Sequence, residues 1–156
     1  MPHGADRLSL LPRVAARLRE RRIPFAVIGA AAMAVHGVSR SASIRRGDAA
    51  DPLAGAVRLT GPGQAMLDII VGRSAWQARV LERASASKIE GISVPVATAA
   101  DLILLKLYAG GPQDAWDVEQ LLVGPGRAAL VAEVAAMLGT LPEDSRRLWA
   151  RIVGPR

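Results

Sequence analysis

Strand-like and helical runs are segregated along this chain, and that order constrains the fold more than any other feature. "FAVIG" (25–29), "GAVRLT" (55–60), "AMLDIIVG" (65–72) and "SKIEGISVPVA" (87–97) all precede residue 98, whereas only helical patterns follow it. Short apolar runs bounded by Gly and Pro suit strands, and the later runs repeat at helical spacing. A few strands early and helices late predict an α+β fold. At 156 residues the chain is read as one domain, 1–156, with a sheet-bearing part (1–97) and a helical part (98–156).

Residues 7 to 22 place Leu8, Leu11, Val14, Ala15 and Leu18 on one helical face, opposite a basic face ending in "RLRERR". Pro24 stops that helix. "FAVIG" reads as a short buried strand, and "AAAMAVHG" as a helix that starts directly at Gly29 and stops near Gly37. The turn signal Gly61-Pro62-Gly63 separates the next two strand-like runs and predicts a hairpin. "SKIEGISVPVA" predicts a second one. Ser74 is the expected N-cap of a helix over "SAWQARVLERA", with Trp76, Val80 and Leu81 facing inward. Thr98, with Asp101 three residues on, resembles a capping box for "TAADLILLKLYAG". There Leu102, Leu105 and Tyr108 share a face, and Lys106 interrupts the apolar run. "DAWDVEQLL", "RAALVAEVAAML" and "PEDSRRLWARIV" predict three more helices, with Trp116 and Trp149 in the core.

The chain has no cysteine, so neither disulfides nor thiolate metal sites are available, and the expected compartment is the cytoplasm. No apolar run approaches the roughly 20 residues of a membrane span, and no membrane partner is expected. Lys88 and Lys106 are the only lysines among 20 basic residues, and the formal charge is +6. Arginine forks suit phosphate and carboxylate, so the balance fits either a polyanionic partner such as RNA or a nucleotide, or codon bias on a solvated surface. With aromatics at 3%, base stacking is not the expected binding mode.

Asp68 is the most telling carboxylate, because it lies inside "MLDIIV" among residues that ought to be buried. Strand alternation puts Met66, Asp68 and Ile70 on one face, which looks either to solvent or into a cleft. The run "FAVIGAAAMAVHGVSRS", the later "LDIIVG" and "PVATAADLILLKLYAGGPQDAWDVEQLL" together resemble bacterial nucleotidyltransferase-fold proteins of the DNA polymerase beta superfamily. The resemblance covers roughly residues 20 to 123. It is strongest to the small group related to minimal nucleotidyltransferases and to the nucleotidyltransferase toxins of abortive-infection systems.

That resemblance implies transfer of NMP from an NTP to a protein or RNA acceptor, with Mg²⁺ ions held by carboxylates. It places Gly29 and Ala30 at the phosphate-facing turn, with Arg40 and Ser41 just ahead of the metal-binding strand. Asp68 stands as the third, metal-holding carboxylate. Lys106 is implied to reach a nucleotide phosphate and Asp114 to orient it, so Asp68, Lys106 and Asp114 are the implied catalytic set. From the residues alone, Lys106 equally suits a lysine reaching from an apolar helix to water. Asp114, on one helix face with Asp117, equally suits an N-terminal cap. His36, matching the family's "HG", reads as a packing or capping residue rather than a base.

The family's paired carboxylates, in a strand of pattern Thr-x-Asp-[Ile/Leu]-Asp-Leu, have no counterpart here. Fewer than 15 residues separate Ser41 from the run beginning at Ala56, whereas a strand with a returning helix needs on the order of 20 to 30. Asp48 and Asp51 do not substitute, since an i, i+3 pair in a strand points to opposite faces. The expectation is therefore a truncated nucleotidyltransferase-like mixed sheet with flanking helices and a degenerate, impaired or inactive site. Non-catalytic binding of nucleotide or RNA, or an interaction module of a toxin–antitoxin pair, are the alternatives. Losing a central strand predicts that "FAVIG" pairs with the 56–60 strand or with another chain, and hence a homodimer.

Overall fold

The computed structural model describes residues 10–38, 56–59 and 67–155, and at 56–59, 67 and 68 the backbone alone. In chain order the described elements are α1 (Leu10–Glu20), α2 (Ala30–Val35), β1 (Ala56–Leu59), β2 (Leu67–Ile70), α3 (Ala75–Arg83), β3 (Ser85–Ile89), β4 (Ile92–Val96), α4 (Ala99–Ala109), α5 (Pro112–Leu121), α6 (Arg127–Met137) and α7 (Glu143–Val153). A single 3₁₀ turn, Leu138–Thr140, follows α6. The protein is α+β, and among the described residues only helices follow β4.

Both hairpins form. β1 runs antiparallel to β2 with Arg58 opposite Asp68, and β3 runs antiparallel to β4 with Lys88 opposite Ser93. They are separate two-stranded sheets. The mixed character comes from "FAVIG", which contributes one parallel bridge, Val27 to Val96. Val27 N–H donates to the Pro95 carbonyl at 2.8 Å, and Ala97 N–H donates to the Val27 carbonyl at 3.0 Å. This corrects the expectation that "FAVIG" pairs with the 56–60 strand, which pairs with β2 instead. Pro95 has no N–H to give, but its carbonyl is available, so β4 accepts a third segment on the edge away from β3.

α4 is the central helix. Thr98 caps it by accepting Asp101 N–H. Gly110 ends it in the left-handed conformation at φ 71, its N–H returning to the Lys106 carbonyl. Ala100, Leu102, Ile103, Leu104 and Leu107 are all buried, so apolar residues surround the axis as expected for an interior helix. Val27, Met33, Val94, Val96, Val118, Val134 and Trp149 belong to the same cluster of buried side chains. Trp76 of α3 meets Tyr108 of α4 edge to face, with ring centroids 5.5 Å apart.

Ser74 caps α3 through a box closed by Gln77, and Trp76 and Val80 are buried as expected. Two inward assignments fail. Leu81 is exposed, and Trp116 is 43% exposed. The inward stripe of α5 runs through Asp117, Val118 and Leu121, and Trp116 lies off it. Trp116→Ser is accordingly expected to change stability by no more than about 0.5 kcal/mol. A loss above about 2 kcal/mol by urea denaturation would mean that the indole packs against something in solution.

Candidate functional site

The junction between α4 and α5 gathers the charged side chains. Only Gly110 and Gly111 separate α4 from α5, because Gly110 reverses the backbone and Pro112 occupies the first turn of the new helix, where a missing N–H does no harm. A Cβ on Gly111 would sit 3.0 Å from Asp114 Oδ2, so the close approach of that carboxylate favours glycine. Asp114 Oδ2 accepts Gly111 N–H at 3.2 Å, which caps α5.

Lys106, in the last turn of α4, sends its ammonium into this corner. Nζ lies 2.9 Å from Asp114 Oδ1 and 2.8 Å from Asp117 Oδ2. Asp117 is fully buried, while the Lys106 and Asp114 side chains are 16% and 21% exposed. Gln113 Nε2 donates to Asp117 Oδ1 at 3.3 Å. An ammonium has three donors, and two of them are taken by these carboxylates. The cluster carries one positive and two negative charges.

A second buried carboxylate lies at the other end of α4. Asp101 has no exposed surface, and Arg83 grips it with both arms of its fork: Nε donates to Oδ2 at 3.0 Å and Nη2 donates to Oδ1. Thr98 Oγ1 donates to Oδ2 at 2.9 Å while accepting Asp101 N–H at 3.1 Å. The Arg83 pKa is raised, chiefly by the hydrogen bond to Asp101, with burial opposing and nearby acidic charge adding. A raised pKa on a cation means that its stabilising contribution is complete below the ordinary arginine range and is lost only as pH passes the raised value. The alkaline limb of stability is therefore flat with respect to this pair across the working range.

Of the residues implied by the resemblance, the structure brings Lys106 and Asp114 together and adds Asp117. Gly29 and Ala30 lie elsewhere, at the start of α2. Gly29 has φ 73, which suits only glycine readily, and caps a six-residue helix. His36 ends that helix and its Nε2 donates to the Ala97 carbonyl at 2.9 Å. It is a capping and tethering residue, as its sequence context indicates. Asp68 lies on β2 opposite Arg58, and its side chain lies outside what is described. Arg40, Ser41, Asp48 and Asp51 lie outside the described residues.

Mg²⁺ does not fit the Lys106 corner, because both carboxylates already bind an ammonium at ion-pair distance, and a divalent cation would be repelled by it. Among the described residues, no group of three or more acidic or histidine side chains is arranged for a metal. An apolar cavity of about 580 Å³ lies nearby, bounded by α1, residues 23–28, the end of β2 and α3, with Leu105 on its wall. Its lining of Leu11, Val14, Phe25 and Ile70 offers little to a triphosphate. No helix among the described residues is long and apolar enough to cross a membrane. In comparison with known proteins, no family model and no curated protein matches the chain.

Two features of this geometry were missed by sequence reasoning. The Arg83–Asp101 clamp joins residues on different helices, with no spacing rule to announce it. Asp117 as a second partner of Lys106 had a signal, its position one turn after Asp114.

Proposed function

We propose that the chain is a nucleotidyltransferase-like protein that binds a nucleotide weakly at the α4–α5 corner and does not carry out efficient NMP transfer. The observation that carries this reading is the Lys106 ammonium, oriented by Asp114 and Asp117 within "KLYAGGPQDAWD", part of the run that carries the resemblance. Two carboxylates hold the lysine in one rotamer, and its third N–H is the one able to meet a phosphate oxygen. The same two carboxylates repel a triphosphate that approaches the ammonium, which limits affinity. Transfer would need the developing charge on the phosphoryl group to be neutralised, and this corner supplies no cation site for that purpose.

The experiment has two arms. Incubation with radiolabelled NTPs, Mg²⁺ and a mixture of cellular RNA and protein is expected to leave the acceptors unlabelled. Label transfer abolished by Asp68→Ala would overturn the reading in favour of a working transferase. In the second arm, ATP is expected to raise the melting temperature where adenosine does not, through the phosphates. The absence of any shift, together with no heat on calorimetric titration, would leave a protein-interaction module instead.

A further inference from the structure

We propose that the outer face of α1 is a docking ridge for the sugar–phosphate backbone of single-stranded nucleic acid, read without regard to sequence. Arg13, Arg17 and Arg21 follow one another at i, i+4 and i+8, and all three are exposed. Arg21 lies just past the end of α1, but its N–H still donates to the Arg17 carbonyl at 3.1 Å, so it keeps the helical register. Successive guanidinium groups are therefore offset by about 6 Å along the axis, a spacing comparable with that of successive phosphates on one strand. Arg22 follows directly and is also exposed.

The side of α1 away from Arg17 meets the second hairpin. Arg19, stacked over Phe25 with its guanidinium carbon 5.8 Å from the ring centroid, also donates to the Ser93 carbonyl. Ser93 is the cross-strand partner of Lys88, which is exposed. Glu20 is the one acid on α1, and its 2.9 Å pair with Arg17 joins side chains that are 59% and 79% exposed. A pair so open to water is weak, and a phosphate oxygen can take its place.

Charge complementarity selects a polyanion, and the regular rise of about 6 Å from Arg13 to Arg17 to Arg21 selects a strand of evenly repeated phosphates over the irregularly placed headgroups of an anionic membrane. The apolar side of α1 faces the body of the protein, with Ala15 buried, Leu11 packed against the buried cluster and Val14 on the wall of the apolar cavity, so the arginine side is the one turned to solvent. Arginine predominates, and its planar fork suits phosphodiester oxygens. No aromatic ring stands on the outer face of α1, since Phe25 lies beneath Arg19, so recognition rests on phosphates and not on base stacking. This surface is separate from the Lys106 corner and does not depend on the nucleotide reading.

The test is fluorescence anisotropy with labelled oligouridylate and oligoadenylate over a salt series, using the full chain. Both oligomers are expected to bind with similar affinity. The triple variant Arg13→Gln/Arg17→Gln/Arg21→Gln is expected to bind at least about tenfold more weakly at low salt, with the slope of log K against log salt reduced by roughly 2, the value for three lost phosphate contacts on a single strand. Arg147→Gln on α7 is the control and should leave binding unchanged. An unchanged slope in the triple variant, no binding at low salt, or an equal loss in the Arg147 control would overturn the proposal. So would anionic lipid vesicles or polyglutamate binding through the same arginines as tightly as the oligonucleotides.

Discussion

Arg83→Met is expected to destabilise the protein by about 3–5 kcal/mol, because it strands a fully buried carboxylate. Asp101 accepts both arms of the Arg83 fork as well as the Thr98 hydroxyl. The variant leaves only Thr98 to offset removal of the charge from water. In a chain of this size the loss corresponds to a fall in melting temperature on the order of 10 °C. The companion variant Arg83→Met/Asp101→Leu is expected to recover most of the stability, since buried ion pairs often exchange for apolar side chains at little net cost. If the single variant melts within a degree or two of the parent protein, the clamp is not formed in solution.

Lys106→Met should be similarly costly, at about 3–5 kcal/mol. Without the ammonium, the buried Asp117 carboxylate and that of Asp114 lose the ion pairs they make at 2.8 and 2.9 Å. Urea denaturation measures the loss, and added salt should recover little of it, because screening acts weakly on buried groups. The exposed pairs of α7, such as Arg147 with Glu143, provide the contrast: their removal should cost no more than about 1 kcal/mol. A Lys106→Met variant as stable as the parent would show that the lysine is not held between the two carboxylates, and would remove the main support for the nucleotide reading.

Local signals in the sequence were reliable where the physics is local. The Thr98 and Ser74 caps satisfy backbone donors within three residues, and the second hairpin turns at Glu90 and Gly91, both with positive φ, so each could be read from a few neighbouring letters. The partner of "FAVIG" was not local. An apolar strand accepts any open edge, and only the three-dimensional course of the chain decided that β4 supplies it. Trp116 misled because its size argues for burial, while the spacing of Val118 and Leu121 already excludes it from the inward face. At the candidate site, Lys106 and Asp114 were named from motif resemblance. Their contact, and the presence of Asp117, follow from how sharply Gly110 and Gly111 fold α5 back against α4.

That sharp fold gives Asp114 a divided duty. One of its oxygens closes the helix start by holding the Gly111 amide, and the other faces the Lys106 ammonium. The change Asp114→Ala would erase both duties together, so any resulting defect would have two indistinguishable origins. The change Asp114→Asn separates them: the side-chain carbonyl stays toward Gly111 and preserves the helix start, while the amide turned toward the lysine replaces attraction with a donor facing a donor. The two oxygens can thus be interrogated one at a time, which is uncommon where scaffold and charge share a single side chain.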